Sequence, residues 1–164
     1  MKFSVDEKPS KYTGLGFRLD QIDDIFIINF EPRGKDNYTS GLGAYPVDLS
    51  FDVDRELCSI TVLWPPEVWK MKSDLDFPKS NNYIRLIYNP NKLPIDDDEY
   101  SAEVYTNPSF NVLCIEFTAD YEEPSQFLDE LAIYYLNRDC AVEISGSRLS
   151  KLWVKNHNTT AFML

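Results

Sequence analysis

The sequence predicts an α+β, β-rich fold, a mostly antiparallel sheet system with one amphipathic helix near residues 124–137. Three observations carry this. Val47, Leu49, Phe51 and Val53 alternate with Asp48, Ser50 and Asp52, the period-two pattern of a half-buried strand. The runs IFIINF from Ile25, YIRLIY from Tyr83 and NVLCIEFT from Asn111 are bounded by turn-forming residues and rich in β-branched and aromatic side chains. After Pro124 and Ser125 the period changes, and Phe127, Leu128, Leu131, Ala132, Tyr135 and Leu136 recur at three- and four-residue spacing.

Taken in order, the chain opens with a short extended candidate, Lys2 to Val5, and passes Pro9 to a Gly14-Leu15-Gly16 turn. That turn lacks the third glycine and the strand-to-helix setting of a phosphate-binding loop. Ile25 to Phe30 is nearly all apolar, which predicts a central strand covered on both faces. A polar connection, Glu31 to Tyr45, leads to the hairpin that dominates the chain. Its first strand starts at Val47, Asp54-Arg55-Glu56 turn it, and the return strand puts Cys58, Ile60, Val62 and Trp64 on one side and Ser59 and Thr61 on the other.

Pro65-Pro66 then ends strand pairing, and Glu67 to Lys72 admits a helical turn. Tyr83 to Tyr88 and Tyr100 to Thr106 are strands placed to pair across a turn-rich loop, and Asn111 to Thr118 follows as another. The helix is expected from Pro124 to Asn137, although Leu131 to Leu136 also admits a strand. Ala141 to Ser145 and Arg148 to Lys155 close as a hairpin across Gly146-Ser147.

The chain reads as a single domain, 1–164, in which residues 25–64 can be laid on 112–155. Ile25 to Phe30 then aligns with Val112 to Phe117, Val47 to Ser50 with Val142 to Ser145, and Ile60 and Val62 with Leu152 and Val154. Short apolar strands align readily, so coincidence stands beside duplication. Through Val47, Asp48, Asp52, Asp54, Leu57, Ile60 and Val62, the stretch Ile25 to Trp64 resembles a small bacterial β module of unknown function. In that module a strand is followed by an acidic hairpin; the module's hairpin glycine and final acidic residue are missing here, and the resemblance implies no chemistry.

Sixteen basic against twenty-seven acidic side chains give a formal charge of −11, which opposes nucleic-acid phosphates and anionic lipid and favours a basic partner. With no apolar segment near the N-terminus of the length a secretion signal needs, and no apolar run long enough to span a bilayer, the expectation is a soluble cytoplasmic protein. Cys58, Cys114 and Cys140 are odd in number, widely spaced and set in apolar sequence, the pattern of buried thiols rather than of disulfides or a zinc site.

Nothing in the chain supplies a catalytic constellation. His157 is the single histidine, which removes a multi-histidine metal site, and the carboxylate groups lie in polar loops where water would level their pKa values. The run Asp96-Asp97-Asp98-Glu99 lacks the alternating ligands and central glycine of a calcium loop. No cofactor is implied. What does stand out is acid interleaved with aromatic residues. Asp96, Asp97, Asp98, Glu99 and Tyr100 lead into a strand carrying Glu103 and Tyr105, and Asp120, Tyr121, Glu122 and Glu123 follow the next strand. Aromatic area with surrounding carboxylates suits a partner-binding rim for a basic protein.

In this character the chain resembles the immunity proteins that bacteria make against their own contact-delivered toxins, as in contact-dependent growth inhibition. The resemblance implies a non-enzymatic protein that binds and occludes a basic toxin, a nuclease among them. Two other classes fit the same composition: a small enzyme or ligand-binding protein whose carboxylates converge in a cleft, and an acidic structural protein that mimics nucleic acid.

Overall fold

In the computed structural model, residues 3–34, 40–89, 100–119, 131–146 and 148–157 are described. They form thirteen strands: β1 Phe3–Asp6, β2 Gly14–Asp20, β3 Ile25–Glu31, β4 Ser40–Ala44, β5 Val47–Phe51, β6 Leu57–Val62, β7 Lys70–Met71, β8 Arg85–Tyr88, β9 Tyr100–Thr106, β10 Val112–Ala119, β11 Leu131–Asn137, β12 Cys140–Ser145 and β13 Arg148–Lys155. A five-stranded sheet runs β2-β3-β6-β5-β4, a six-stranded sheet runs β11-β12-β13-β10-β9-β7, and β1 pairs with β8. Pairing is antiparallel except for β7, which lies parallel to β9.

The amphipathic helix expected near residues 124–137 is not found in the described part of that span. Leu131–Asn137 is a strand paired with β12, residues 124–130 lie outside the described residues, and the only helical turn described is a 3-10 turn at Pro66–Val68. The fold is therefore a β architecture rather than α+β. Leu131 to Leu136 is six consecutive apolar residues, which fit a period of 3.6 and a period of two equally well. Cross-strand pairing decides: Leu136 turns into the core, while Ile133 and Tyr135 pack on the opposite face with Phe77 and Trp153.

Two further strands were hidden by glycine. Gly14 and Gly16 lie within β2, not in a turn, because Leu15, Phe17 and Leu19 alternate onto the core. Gly16 sits where a Cβ would come within 3.0 Å of the Glu31 carboxylate on β3. Gly41 and Gly43 likewise lie in β4, inside the stretch read as a polar connection. Strand β8 pairs with β1 and not with β9.

The hairpin at the centre of the sequence is present with one change. Val47, Leu49, Phe51, Ile60 and Val62 are all fully buried, but the first strand stops at Phe51, and Val53 lies exposed in the turn. A bulge between Ser50 and Phe51 leaves Cys58 as the extra residue of β6, and Arg55 turns the chain at φ 64°. Inward residues of both large sheets, among them Phe26, Ile28, Leu49 and Ile60 from the first and Leu113, Ile115, Val142 and Leu152 from the second, belong to one apolar cluster. The two sheets thus pack as a sandwich. A second, smaller cluster lies on the outer face of the six-stranded sheet, where the segment carrying Leu75 and Phe77 crosses Val112, Cys114 and Trp153.

Both large sheets repeat one strand order. Numbered within each half, β2 to β6 and β9 to β13 are both arranged first-second-fifth-fourth-third. The strands superposed by aligning 25–64 with 112–155 hold equivalent places in the two sheets.

Candidate functional site

Alternation along β9 separates the aromatic residues grouped from sequence. Tyr100 shares its parity with Ala102 and Val104 and packs against the core, whereas Glu103 and Tyr105 point outward. The Tyr105 hydroxyl donates to the Glu103 carboxylate. Parallel pairing with β7 sets Lys70 opposite Tyr105, and the Lys70 ammonium reaches Glu103 at 2.6 Å. Lys72 lies 4.9 Å from the centre of the Tyr105 ring and 3.4 Å from Glu116, and Lys151 reaches Glu116 from the other side at 3.5 Å. This face is a lattice of matched charges. The hydrogen bond from Lys70, then that from Tyr105, holds Glu103 below the ordinary carboxylate range. In return the bond to Glu103, reinforced by partial burial, pushes the Tyr105 phenol up to about 12.

Asp96, Asp97, Asp98, Glu99, Asp120, Tyr121, Glu122 and Glu123 lie outside the described residues, but their points of attachment do not. Tyr100 and Ala119 are register partners, so segments 90–99 and 120–130 join the sheet at adjacent strand ends. Because β11 runs parallel in direction to β9 through the alternating β10, β13 and β12, Leu131 starts at that same end. The first segment carries Asp96, Asp97, Asp98 and Glu99 against Lys92, and the second carries Asp120, Glu122, Glu123, Asp129 and Glu130 with no basic residue.

Beside that end stands an aromatic pair, Tyr45, at the end of the expected polar connection, and Trp64, expected on the apolar side of the return strand but lying beyond its last residue, Val62. The Tyr45 carbonyl accepts from the Ala102 amide at 3.0 Å, which docks the β4–β5 turn against the start of β9. The Tyr45 side chain is 64% exposed and stands perpendicular to Trp64, ring centres 5.8 Å apart. The Trp64 indole N–H donates to the Tyr45 hydroxyl at 3.2 Å, and the Trp64 carbonyl accepts from the Trp69 indole at 3.1 Å. Val68, in the adjoining 3-10 turn, is exposed. The signal was available in Tyr45-Pro46 and Trp64-Pro65-Pro66, where proline stiffens the chain next to an aromatic.

Among the described residues three carboxylates are buried, Asp139 beside β11 and β12 and, at the turn of the β5–β6 hairpin, Asp52 and Glu56. Asp52 Oδ1 accepts from the amides of Asp54 and Glu56, and Oδ2 takes the Tyr12 hydroxyl at 2.5 Å and the Lys11 ammonium at 2.7 Å. Glu56 accepts from Ser10 and, at 3.1 Å, from Arg85, which also faces Asp6 at 3.6 Å. Burial pushes Asp52 up, but the bonds from Lys11, Tyr12 and the Glu56 amide outweigh it and hold the group below its ordinary value. Burial and the same contact with Asp52 push the Tyr12 phenol up. With both Asp52 oxygens taken by two donors each, the network works as a clamp that ties residues 6–12 and β8 to the hairpin turn.

The remaining candidates are placed as follows. Cys58, Cys114 and Cys140 are buried thiols, and burial pushes the first two up to about 11 and about 12 and raises the third as well. His157 is exposed, yet its Nε2 lies 2.7 Å from the buried Asp139. A shallow cleft of about 650 Å³ lies between Leu75-Asp76-Phe77 and the β9–β10 turn, with Lys79 and Lys155 at its sides. Among the described residues no group of three or more His, Cys, Asp or Glu side chains is placed to hold a metal ion, and no helix is long and apolar enough to cross a membrane. Comparison with known proteins finds no matching family, no matching curated protein and no matching solved structure.

Proposed function

We propose that the protein is a non-enzymatic binding module, an immunity protein of the contact-dependent growth inhibition type, which acts in the cytoplasm by occluding a basic toxin domain, a nuclease being the class its acidity fits. The observation that supports this reading is the pairing of Tyr100 with Ala119. It joins two segments whose sequence holds nine acidic residues and a single lysine to one end of one sheet, in a chain of net charge −11. A field of that sign steers a basic partner and repels nucleic acid and anionic lipid. The carboxylates of the hairpin turn fit the same reading, because Asp52 and Glu56 are spent on holding that turn.

The test is affinity capture from the source cell with two baits, the wild type and a variant carrying Asp96→Asn, Asp97→Asn, Asp98→Asn, Asp120→Asn, Glu122→Gln and Glu123→Gln. The expected result is a basic protein retained by the first bait, released by salt and absent from the second. Equal retention on both baits would place the interface away from the acidic segments. Protection of cells from the captured protein by co-expression would identify it as a toxin.

A further inference from the structure

We propose that Tyr45 and Trp64 form the anchor of the binding surface, a rigid aromatic step on which an arginine of the basic protein partner stacks. The inference rests on the reading of the chain as a module for a basic protein, and adds to it the residues that hold the partner once the acids have drawn it in.

Four observations converge. Tyr45 is exposed although it is aromatic, and with the half-buried Trp64 it makes an aromatic step beside the start of β9. The pair is preorganised, since the indole of Trp64 is hydrogen-bonded to the Tyr45 hydroxyl and its backbone is held by Trp69 and followed by two prolines. Little side-chain entropy remains to be lost on binding, which is the property that concentrates binding energy in tyrosine and tryptophan. The charge around it is of one sign. Next to it stand the exposed carboxylates Asp48, on β5, and Glu67, in the 3-10 turn, while Arg55 sits with Asp52, Asp54 and Glu56 in the hairpin turn at the opposite end of β5 and β6 from Tyr45. The nearest lysines in sequence, Lys70 and Lys72, already face Glu103 and Glu116.

An aromatic face in an acidic field selects a cation, and the planar guanidinium stacks on it better than a compact, strongly hydrated ammonium. The protein itself uses the same contact on its neighbouring face, where Lys72 lies over Tyr105. The partner therefore presents arginine at the centre of its contact and further basic residues around it.

The experiment titrates labelled oligoarginine and oligolysine peptides of equal length against the full chain at low and high salt, following peptide anisotropy and tryptophan fluorescence. Wild type is compared with Tyr45→Ala, Tyr45→Phe and the triple variant Asp96→Asn, Asp97→Asn, Asp98→Asn, each checked for an unchanged far-ultraviolet spectrum. The proposal expects oligoarginine to bind more tightly than oligolysine, Tyr45→Ala to weaken it about tenfold or more, and Tyr45→Phe, which keeps the ring, to change it less than about threefold. If Tyr45→Ala binds as wild type while the triple variant loses affinity, the anchor is overturned and the role of the acidic segments stands. If oligoarginine fails to bind the wild type at low salt, both fall.

Discussion

The phenol of Tyr12 and the carboxylate of Asp52, forty residues apart in the chain, share a buried hydrogen bond of 2.5 Å. It is one of four donors converging on that carboxylate, and it ties the N-terminal segment to the turn of the central hairpin. Tyr12→Phe removes the donor and keeps the ring, which packs edge-on to Phe30. The variant should lose about 1–3 kcal/mol of stability, read as a lower denaturant midpoint at unchanged slope.

The same carboxylate gives the protein an acid limb. Because the folded state holds Asp52 below its ordinary value, its contribution is fully present above the unfolded pKa of about 3.9 and is lost as pH falls through the folded value. Stability measured by urea unfolding from neutral pH down to about pH 2 should fall more steeply in the wild type than in Asp52→Asn.

In the core of the hairpin Ile60 is opposed by Leu49 and both are fully buried. Ile60→Ala should cost about 2–5 kcal/mol through lost transfer free energy and the cavity left behind. Val53→Ala, in the exposed turn, should change stability by less than about 0.5 kcal/mol. Equal midpoints for the two variants would contradict the register.

On the outer face, the alkaline titration of Tyr105 reports its bond to Glu103. With that bond the phenol is pushed up to about 12, so Glu103→Gln should bring it back toward the ordinary tyrosine value. Nuclear magnetic resonance of the Tyr105 ring through the alkaline range reads the shift directly, and an unchanged midpoint would dissolve the Lys70-Glu103-Tyr105 arrangement.

All three thiols should be silent in the native state, since burial raises each of them and a thiolate is the reactive form. A thiol-reactive chromophore should label them only at the rate of global unfolding, and labelling faster than unfolding would place at least one thiol within reach of solvent.

How much of this was legible in the sequence follows from how each element is stabilised. The central hairpin and β10 could be read because one face of each is apolar at strict period two, a property of the strand itself. Strand β11 could not, since an unbroken apolar run carries no period and only the pairing of Tyr134 with Val142 decides its conformation. β2 and β4 were masked by glycines, of which Gly16 and Gly43 leave room for the carboxylates of Glu31 and Asp48 on the neighbouring strands. At the surface, Glu103 and Tyr105 share one face of β9 as their spacing predicts, but the lysine that reaches Glu103, Lys70, comes from a two-residue strand more than thirty residues earlier in the chain. No local pattern encodes that pairing. The contact of Tyr45 with Trp64 is hidden for a related reason, because it joins residues nineteen apart that flank the two strands of the hairpin.

The shared strand order has a consequence for how each half comes together. The last strand of each set of five, β6 or β13, enters the middle of its sheet, between the second strand and the fourth. Until β13 arrives, β9 and β10 form one hairpin and β11 and β12 another, each with an open edge facing the place the missing strand will fill. A ribosome therefore releases the keystone of the second sheet only after its four companions. A chain stopped before Arg148 would hold two unjoined hairpins rather than a sheet short of one border strand, and should aggregate instead of merely losing stability.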